Sequence, residues 1–183
     1  MKFNRIAPEF DTTDRAILEL LQEDCKQSLS EIGQKVGLKA PAVLERIHKF
    51  EEAGVVVGYV AVLDGRRLGK DVTAFIGVST DHAAAIAGLE GQVAAIADVL
   101  ECHHVTGAHT LMVKVKTVNT QTLEELIETI RSLDGVARTE TTVVLSTHIE
   151  RSRVSLHDSG EFETRQTRQA RRNTGQRRRR SGT

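Results

Sequence analysis

Tryptophan is absent from this chain of 183 residues, tyrosine occurs once, and aromatic residues make up 3% of it. That poverty argues against a protein that holds single strands by stacking bases on aromatic platforms. Cysteine occurs twice, at Cys25 and Cys102, too far apart in sequence for a disulfide framework or a C-x-x-C metal pair. Such usage points to a reducing cytoplasm. No apolar run approaches the ~20 residues of a membrane span, and no signal-peptide core opens the sequence. No phosphate-cradling glycine loop and no nucleophile–base–orienter set is present, so catalysis is not expected.

What is present is aliphatic. Hydrophobic residues reach 39%, so the core must be built from Val, Ile, Leu and Ala. The length allows one large or two small domains. The net charge of +0 conceals an asymmetry. Residues 1–150 hold 15 Lys and Arg against 22 Asp and Glu, a balance of −7. Residues 151–183 hold 10 Arg against 3 acids, a balance of +7. An acidic body therefore carries a basic tail.

Residues 28–59 hold the most informative pattern. Asp11 and Asp14 first offer a cap and an acidic first turn for a helix over about 12–23. Ser28 and Glu31 form a capping box for a second helix over 29–36, and Gly37 suits its left-handed end. Pro41 suits the first turn of a third helix, where Val43, Ile47 and Phe50 repeat at i, i+4, i+7 and Gly54 marks the stop. The β-branched run from Val55 to Leu63 then reads as a strand. Three helices and a strand in this order predict a winged helix-turn-helix, whose third helix enters the major groove of double-stranded DNA.

Beyond a turn-like connection at 64–71 the expected order is strand 72–80, helix 84–97, strand 99–106, strand 111–118, helix 120–133 and strand 136–148. This βαββαβ order predicts a ferredoxin-like antiparallel sheet with both helices on one face. The fold class is α+β, with domains at 1–63 and 72–150. The bare face of the sheet calls for a second copy, so a homodimer through this domain is expected. Residues 151–183 lack apolar periodicity and read as a disordered Arg-rich tail, able to serve as a DNA arm, to bind RNA or to be dispensable.

Several ordered motifs now combine. They include Leu29-x-Glu31-Ile32-Gly33-x-x-Val36-Gly37-Leu38, Val43-x-x-Arg46-Ile47-x-x-Phe50-Glu51-x-x-Gly54-Val55-Val56-x-Gly58-Tyr59, and Glu101-Cys102-His103-His104-Val105-Thr106-Gly107. Leu133-Asp134-Gly135-Val136 and Thr139-x-Thr141-x-Val143-Val144-Leu145 follow. Over residues 10–150 the chain resembles the Lrp/AsnC, or feast/famine, transcription regulators. The resemblance implies a DNA-binding domain, a ligand-sensing domain, dimers that build tetramers or octamers, and an amino-acid effector.

On the third helix the expected DNA-facing residues are Lys39, Ala40, Ala42, Glu45, Arg46 and Lys49. Lys39 and Lys49 can neutralise phosphates. Arg46 can reach a guanine edge, or can instead pair with Glu45 or an acid of the second helix. Where the family commonly places a Ser cap this chain has Lys39, and Ala40-Pro41-Ala42 brings little hydrogen-bonding capacity. Residues 1–63 hold 8 basic and 10 acidic side chains. Modest base specificity is therefore expected, with DNA shape and oligomer avidity supplying the rest.

The resemblance places the effector at Val105, Thr106, Gly107, Ala108, His109 and Thr110, with Arg131 able to meet a carboxylate or simply face solvent. Many members have Asp where Thr110 stands, so another acid must hold an ammonium, or the ligand is not a simple amino acid, or none binds. Cys102, His103, His104 and His109 invite a metal, but strand alternation sends His103 away from Cys102 and His104, so no metal or cofactor is expected. Two other readings stay open. Sirohaem decarboxylases resemble the same architecture and use histidines, and an architectural DNA-binding protein would need no effector.

Overall fold

The computed structural model describes residues 10–81 and 86–156. The described residues divide into two compact units, one of residues up to 60 together with those from 151 onward, the other within residues 61–150.

The first unit contains α1 (Thr12–Glu23), α2 (Leu29–Val36) and α3 (Ala40–Glu52). Two of the three begin with a closed capping box. Asp11 accepts from the Asp14 N–H while Asp14 accepts from that of Asp11, and Ser28 and Glu31 do the same. These reciprocal bonds satisfy amide donors that a helix start leaves bare, which fixes both starts locally. Ile17, Leu18, Ile32, Val43, Ile47 and Phe50 form the core. Phe10 meets the Phe50 ring edge-on at a centroid distance of 5.9 Å.

Gly33 is the tight point of the turn between α2 and α3. The Leu38 N–H donates to the Gly33 carbonyl at 2.9 Å, and a Cβ on Gly33 would lie 2.5 Å from the Leu38 carbonyl oxygen. Gly37 caps α2 with φ 73°. A close turn and a buried Val43 together set the α2–α3 pair of a helix-turn-helix.

The strand expected over residues 55–63 does not form. The N–H groups of Val55 and Val56 instead donate to the Phe50 carbonyl and close the end of α3. Val57, Val60 and Val62 are 82–94% exposed. β-branched residues favour extended backbone, but a strand needs a ladder partner, and the described residues supply none here. Tyr59 donates its hydroxyl to Glu51 at 2.9 Å. Burial first, and the Glu51 carboxylate second, push its pKa up to about 12.

The six residues after the second unit also differ from the expectation. Residues 151–156 lie on α1 in the first unit. The Gln22 amide brackets Val154, donating to its carbonyl at 3.1 Å and accepting its N–H at 2.7 Å. Arg153 pairs with Glu23 at 3.2 Å, and Leu156 packs against the helical core. The disorder expected of residues 157–183 lies outside the described residues.

The second unit holds β1 (Val72–Ser79), α4 (Ile86–Ala94), β2 (Val99–His104), β3 (Leu111–Thr117), α5 (Thr120–Arg131) and β4 (Arg138–Val143). The sheet order is β2-β3-β1-β4, antiparallel throughout. Ala74, Ile76, Val78, Leu111, Val113 and Val115 point to one face and pack with Leu89, Val93, Leu123, Leu126 and Ile130 of the helices. β4 is shorter than expected because β1 begins at Val72 and offers no partner past Val144. The other face carries Phe75, Gly77, Met112, Lys114, Glu140 and Thr142, as the register of β1, β3 and β4 requires. Among the described residues no element of the second unit covers Phe75, which is 38% exposed.

Candidate nucleic-acid interface and effector loop

α3 has no side-chain cap at Lys39 and Pro41 in its first turn. Its inner face is Val43, Ile47 and Phe50. Stepping 100° per residue from these puts Pro41, Glu45 and His48 opposite, with Leu44 and Lys49 beside them. Burial agrees, since Lys39, Pro41, Leu44, Glu45, His48 and Lys49 are exposed while Ala40, Ala42 and Arg46 are half-buried. Sequence reasoning missed Pro41, Leu44 and His48, although the helical wheel alone identifies them. Glu45 and Lys49 pair at 2.8 Å across one turn, and the Lys49 ammonium holds the Glu45 carboxyl below its ordinary pKa.

Arg46 is held elsewhere. Its guanidinium lies 2.7 Å from Asp11 and 2.5 Å from Asp14, at the head of α1. The partners are on the first helix, not Glu45 or the second helix. The Arg46 hydrogen bond is the main reason the Asp11 carboxyl sits below its ordinary pKa.

In the second unit the loop 105–110 is fixed to the end of β1. The Thr110 N–H donates to the Val78 carbonyl at 2.8 Å, and the Thr80 N–H donates to the Thr110 hydroxyl at 3.3 Å. Ser79 Oγ donates to the Ala108 carbonyl at 3.3 Å, and the Val105 N–H to the Thr110 carbonyl at 3.1 Å. Thr106, Gly107 and Ala108 form the exposed tip. Among the described residues, the N–H groups of these three have no protein acceptor. The Thr110 hydroxyl, by contrast, is engaged with Thr80.

His109 folds onto the bare face of the sheet. Its ring lies so close over Gly77 that a Cβ there would sit 2.5 Å from ring carbon Cδ2. Its Nε2 is 3.8 Å from Glu140 Oε2, and its buried Nδ1 has no hydrogen-bond partner among the described residues. Phe75, Gly77, His109, Met112, Glu140 and Thr142 line a hollow of about 310 Å³. Glu140, which sequence reasoning missed, is the carboxylate beside the loop. It is a β-strand residue far along the chain from residues 105–110, and no local spacing signals it.

Arg131 pairs with Glu128 one turn back at 3.0 Å and is exposed. His103 lies on the bare face, 3.1 Å from Glu101, whose carboxyl is held low by His103 and then by Lys114. Cys102 packs toward the opposite, helix-covered side, where burial pushes its thiol pKa up. Among the described residues no three His, Cys, Asp or Glu side chains converge as a metal site. Among them, no helix is long and apolar enough to cross a membrane.

A helix-turn-helix unit followed by a four-stranded α+β unit is the architecture of a DNA-binding transcriptional regulator with a separate ligand-binding domain. Residues 10–51 match the AsnC-type helix-turn-helix domain, and residues 73–154 match the Lrp/AsnC ligand binding domain. The chain belongs to the Lrp/AsnC family of transcriptional regulators. It is 33% identical over 146 residues to the HTH-type transcriptional regulator FL11 of Pyrococcus horikoshii, covering 80% of this chain and 96% of that protein. Its structure is similar to a Neisseria meningitidis transcriptional regulator solved as a complex with L-Met, with a TM-score of 0.78, 26% identity and coverage of 81% and 98%. Escherichia coli AsnC gives a TM-score of 0.74 at 27% identity, covering 79% of this chain and 98% of that one.

Proposed function

We propose that this regulator is a cytoplasmic, non-enzymatic DNA-binding protein whose assembly or DNA affinity responds to an amino acid or related metabolite. The observation that carries the reading is the loop 105–110. Its base is fixed to β1, while its tip presents the unpartnered N–H groups of Thr106, Gly107 and Ala108. A carboxylate is a strong acceptor for free backbone donors. Val105 and His109 shape the loop, Thr110 holds it to β1, and Arg131 stands as a cation for the carboxylate. Glu140 supplies the charge for an ammonium that Thr110 cannot. The Neisseria relative's complex with L-Met makes amino acids the first class to test.

Lys39, Ala40, Ala42, Glu45 and Lys49 form the DNA side of α3 together with Pro41, Leu44 and His48. Lys39 and Lys49 meet phosphates, and the apolar positions touch thymine methyl groups. Arg46 braces the helix instead of reading a base. Two copies pair through the bare sheet face around Phe75 and Met112, and dimers assemble further into tetramers or octamers. The exposed Val57–Leu63 run supports pairing as well, since it is β-prone backbone without a ladder partner among the described residues.

Thermal melts of the full chain against each of the twenty amino acids test the sensing half. A ligand present at 100 times its Kd stabilises the fold by about 2.7 kcal/mol, a clear upward shift. DNA binding that persists while no amino acid moves the melt would favour the effector-independent architectural reading.

A further inference from the structure

We infer that the polar cleft beside Lys116 binds a small oxyanion, a phosphate or a carboxylate, held by the Lys116 ammonium and the hydroxyls of Thr73 and Thr147. This site is separate from the loop 105–110. That loop is fixed at Val78 and Ser79, and Thr73 stands six residues back along β1, about 20 Å away.

Three segments of the second unit meet to form the cleft. Thr73 and Lys116 are direct cross-strand partners in β1 and β3, on the face that carries Phe75 and Met112. The Val144 N–H donates to the Thr73 carbonyl at 2.9 Å, which brings Ser146 and Thr147 past the same corner. The connection 64–71 closes the remaining side. Its Lys70 ammonium pairs with Asp98 at 2.5 Å, and its Lys70 N–H donates to the Gly65 carbonyl at 2.8 Å. Gly65 lies directly against Lys116, since a Cβ there would sit 2.5 Å from Lys116 Cε. The space enclosed is about 250 Å³. Pockets for drug-sized ligands run from roughly 300 to 1,000 Å³, so this one suits something smaller.

Charge decides the sign of the ligand. The cleft has three acids, and each already faces a cation. Asp64 lies 3.4 Å from Arg67, Asp71 is 3.5 Å from Arg66, and Glu150 is 2.5 Å from Lys114. Lys116 is left over. Among the described residues it makes neither a hydrogen bond nor an ion pair, and its charge acts on Glu150 only through space. It is half-buried, so its ammonium is partly withdrawn from water without an acceptor in exchange.

The neighbouring donors agree with that sign. The hydroxyls of Thr73 and Thr147 have no hydrogen-bond partner among the described residues. Arg66 meets Asp71 through Nε, which leaves the other N–H groups of its guanidinium to donate. A cation would be repelled by Lys116, and a neutral ligand would leave its charge unanswered. An oxyanion accepts from the ammonium and from two hydroxyls at once.

Isothermal titration calorimetry of the full chain with inorganic phosphate and with acetate, in chloride at constant ionic strength, tests the site. Saturable binding of one ion per chain is expected, and the tighter of the two anions assigns the ligand to phosphates or to carboxylates. Lys116→Gln should weaken binding roughly tenfold to a hundredfold, the scale of one lost hydrogen bond to a charged group. Thr147→Val, at an exposed position, should weaken it severalfold with circular dichroism unchanged, and it decides the matter if Lys116→Gln does not fold. Absence of saturable binding by the natural chain overturns the inference. Binding that a folded Lys116→Gln retains in full places the ion elsewhere and equally overturns it.

Discussion

The guanidinium of Arg46, in the middle of α3, bridges Asp11 and Asp14 at the head of α1, at 2.7 and 2.5 Å. The same two aspartates close the capping box of α1. One arginine therefore ties the orientation of the recognition helix to the start of the first helix. Arg46→Gln should lower the melting temperature of the protein and weaken DNA binding without changing which bases are preferred. Melts together with a selection from random sequences check this. A changed base preference would show that Arg46 reads DNA directly.

Acid should loosen the same contact. Asp11 starts from 3.8 and is held lower, chiefly by Arg46, and Glu31 starts from 4.5 and is held lower by the backbone and hydroxyl of Ser28. A carboxyl whose pKa is lowered in the fold stabilises above its unfolded pKa, and that stability drains away as pH falls through the folded value. The stability these two carboxyls contribute should thus be level above about pH 5 and fall below about pH 4. Denaturant titrations across this range should show a flatter curve for Arg46→Gln with Ser28→Ala than for the natural protein.

Gly33→Ala should destabilise by about 1–3 kcal/mol, because the new Cβ meets a backbone oxygen that cannot rotate away. In a domain of this size each kcal/mol lowers the melting point by about 4–8 °C. Calorimetry reads it directly, and an unshifted melt would mean the α2–α3 turn relaxes freely.

Much of the fold was legible because its signals are local. The Asp11 cap, the Ser28–Glu31 capping box, the Val43-Ile47-Phe50 stripe and the β-alternation of Leu111–Thr117 each lie within a few neighbouring residues. Misreadings arose where the partner is distant. Val55–Leu63 has the composition of a strand, but composition cannot supply a neighbouring strand. Arg46 finds its carboxylates 32 and 35 residues back in the chain. Glu140 reaches the loop 105–110 only through the pairing of β4 with β1, and Val154 reaches Gln22 across 132 residues. Pro41, Leu44 and His48 are a different case, since they follow from the helix period once its inner face is known.

Pairing through the sheet has a direct check. Phe75→Glu with Met112→Glu places two carboxylates on the bare face, where pairing would bury them without partners. Sedimentation should show the mass falling from that of an assembly to that of one chain, with circular dichroism unchanged. Retention of the assembly would place the interface elsewhere.

The two thiols should differ in reactivity. Cys25 is exposed, whereas Cys102 is partly buried with its pKa raised first by that burial and then by Glu90. Since the thiolate is the reactive form and burial also limits access, Cys25 should be labelled before Cys102 near pH 8. Mass spectrometry of partly labelled protein gives the order.

The scarcity of aromatic residues leaves Tyr59 as the only phenol in a chain without indole. Its hydroxyl is bound to Glu51, at the end of the recognition helix, and its pKa rises from 10.0 to about 12 in the fold. Raising the pH through that interval ionises the phenol of unfolded chains first, so the stability this contact contributes is complete below pH 10 and gone above about 12. Phenolate absorbance is therefore a one-site optical gauge. Its appearance well below pH 12 reports that the end of α3 has come undone, with no label attached to the protein.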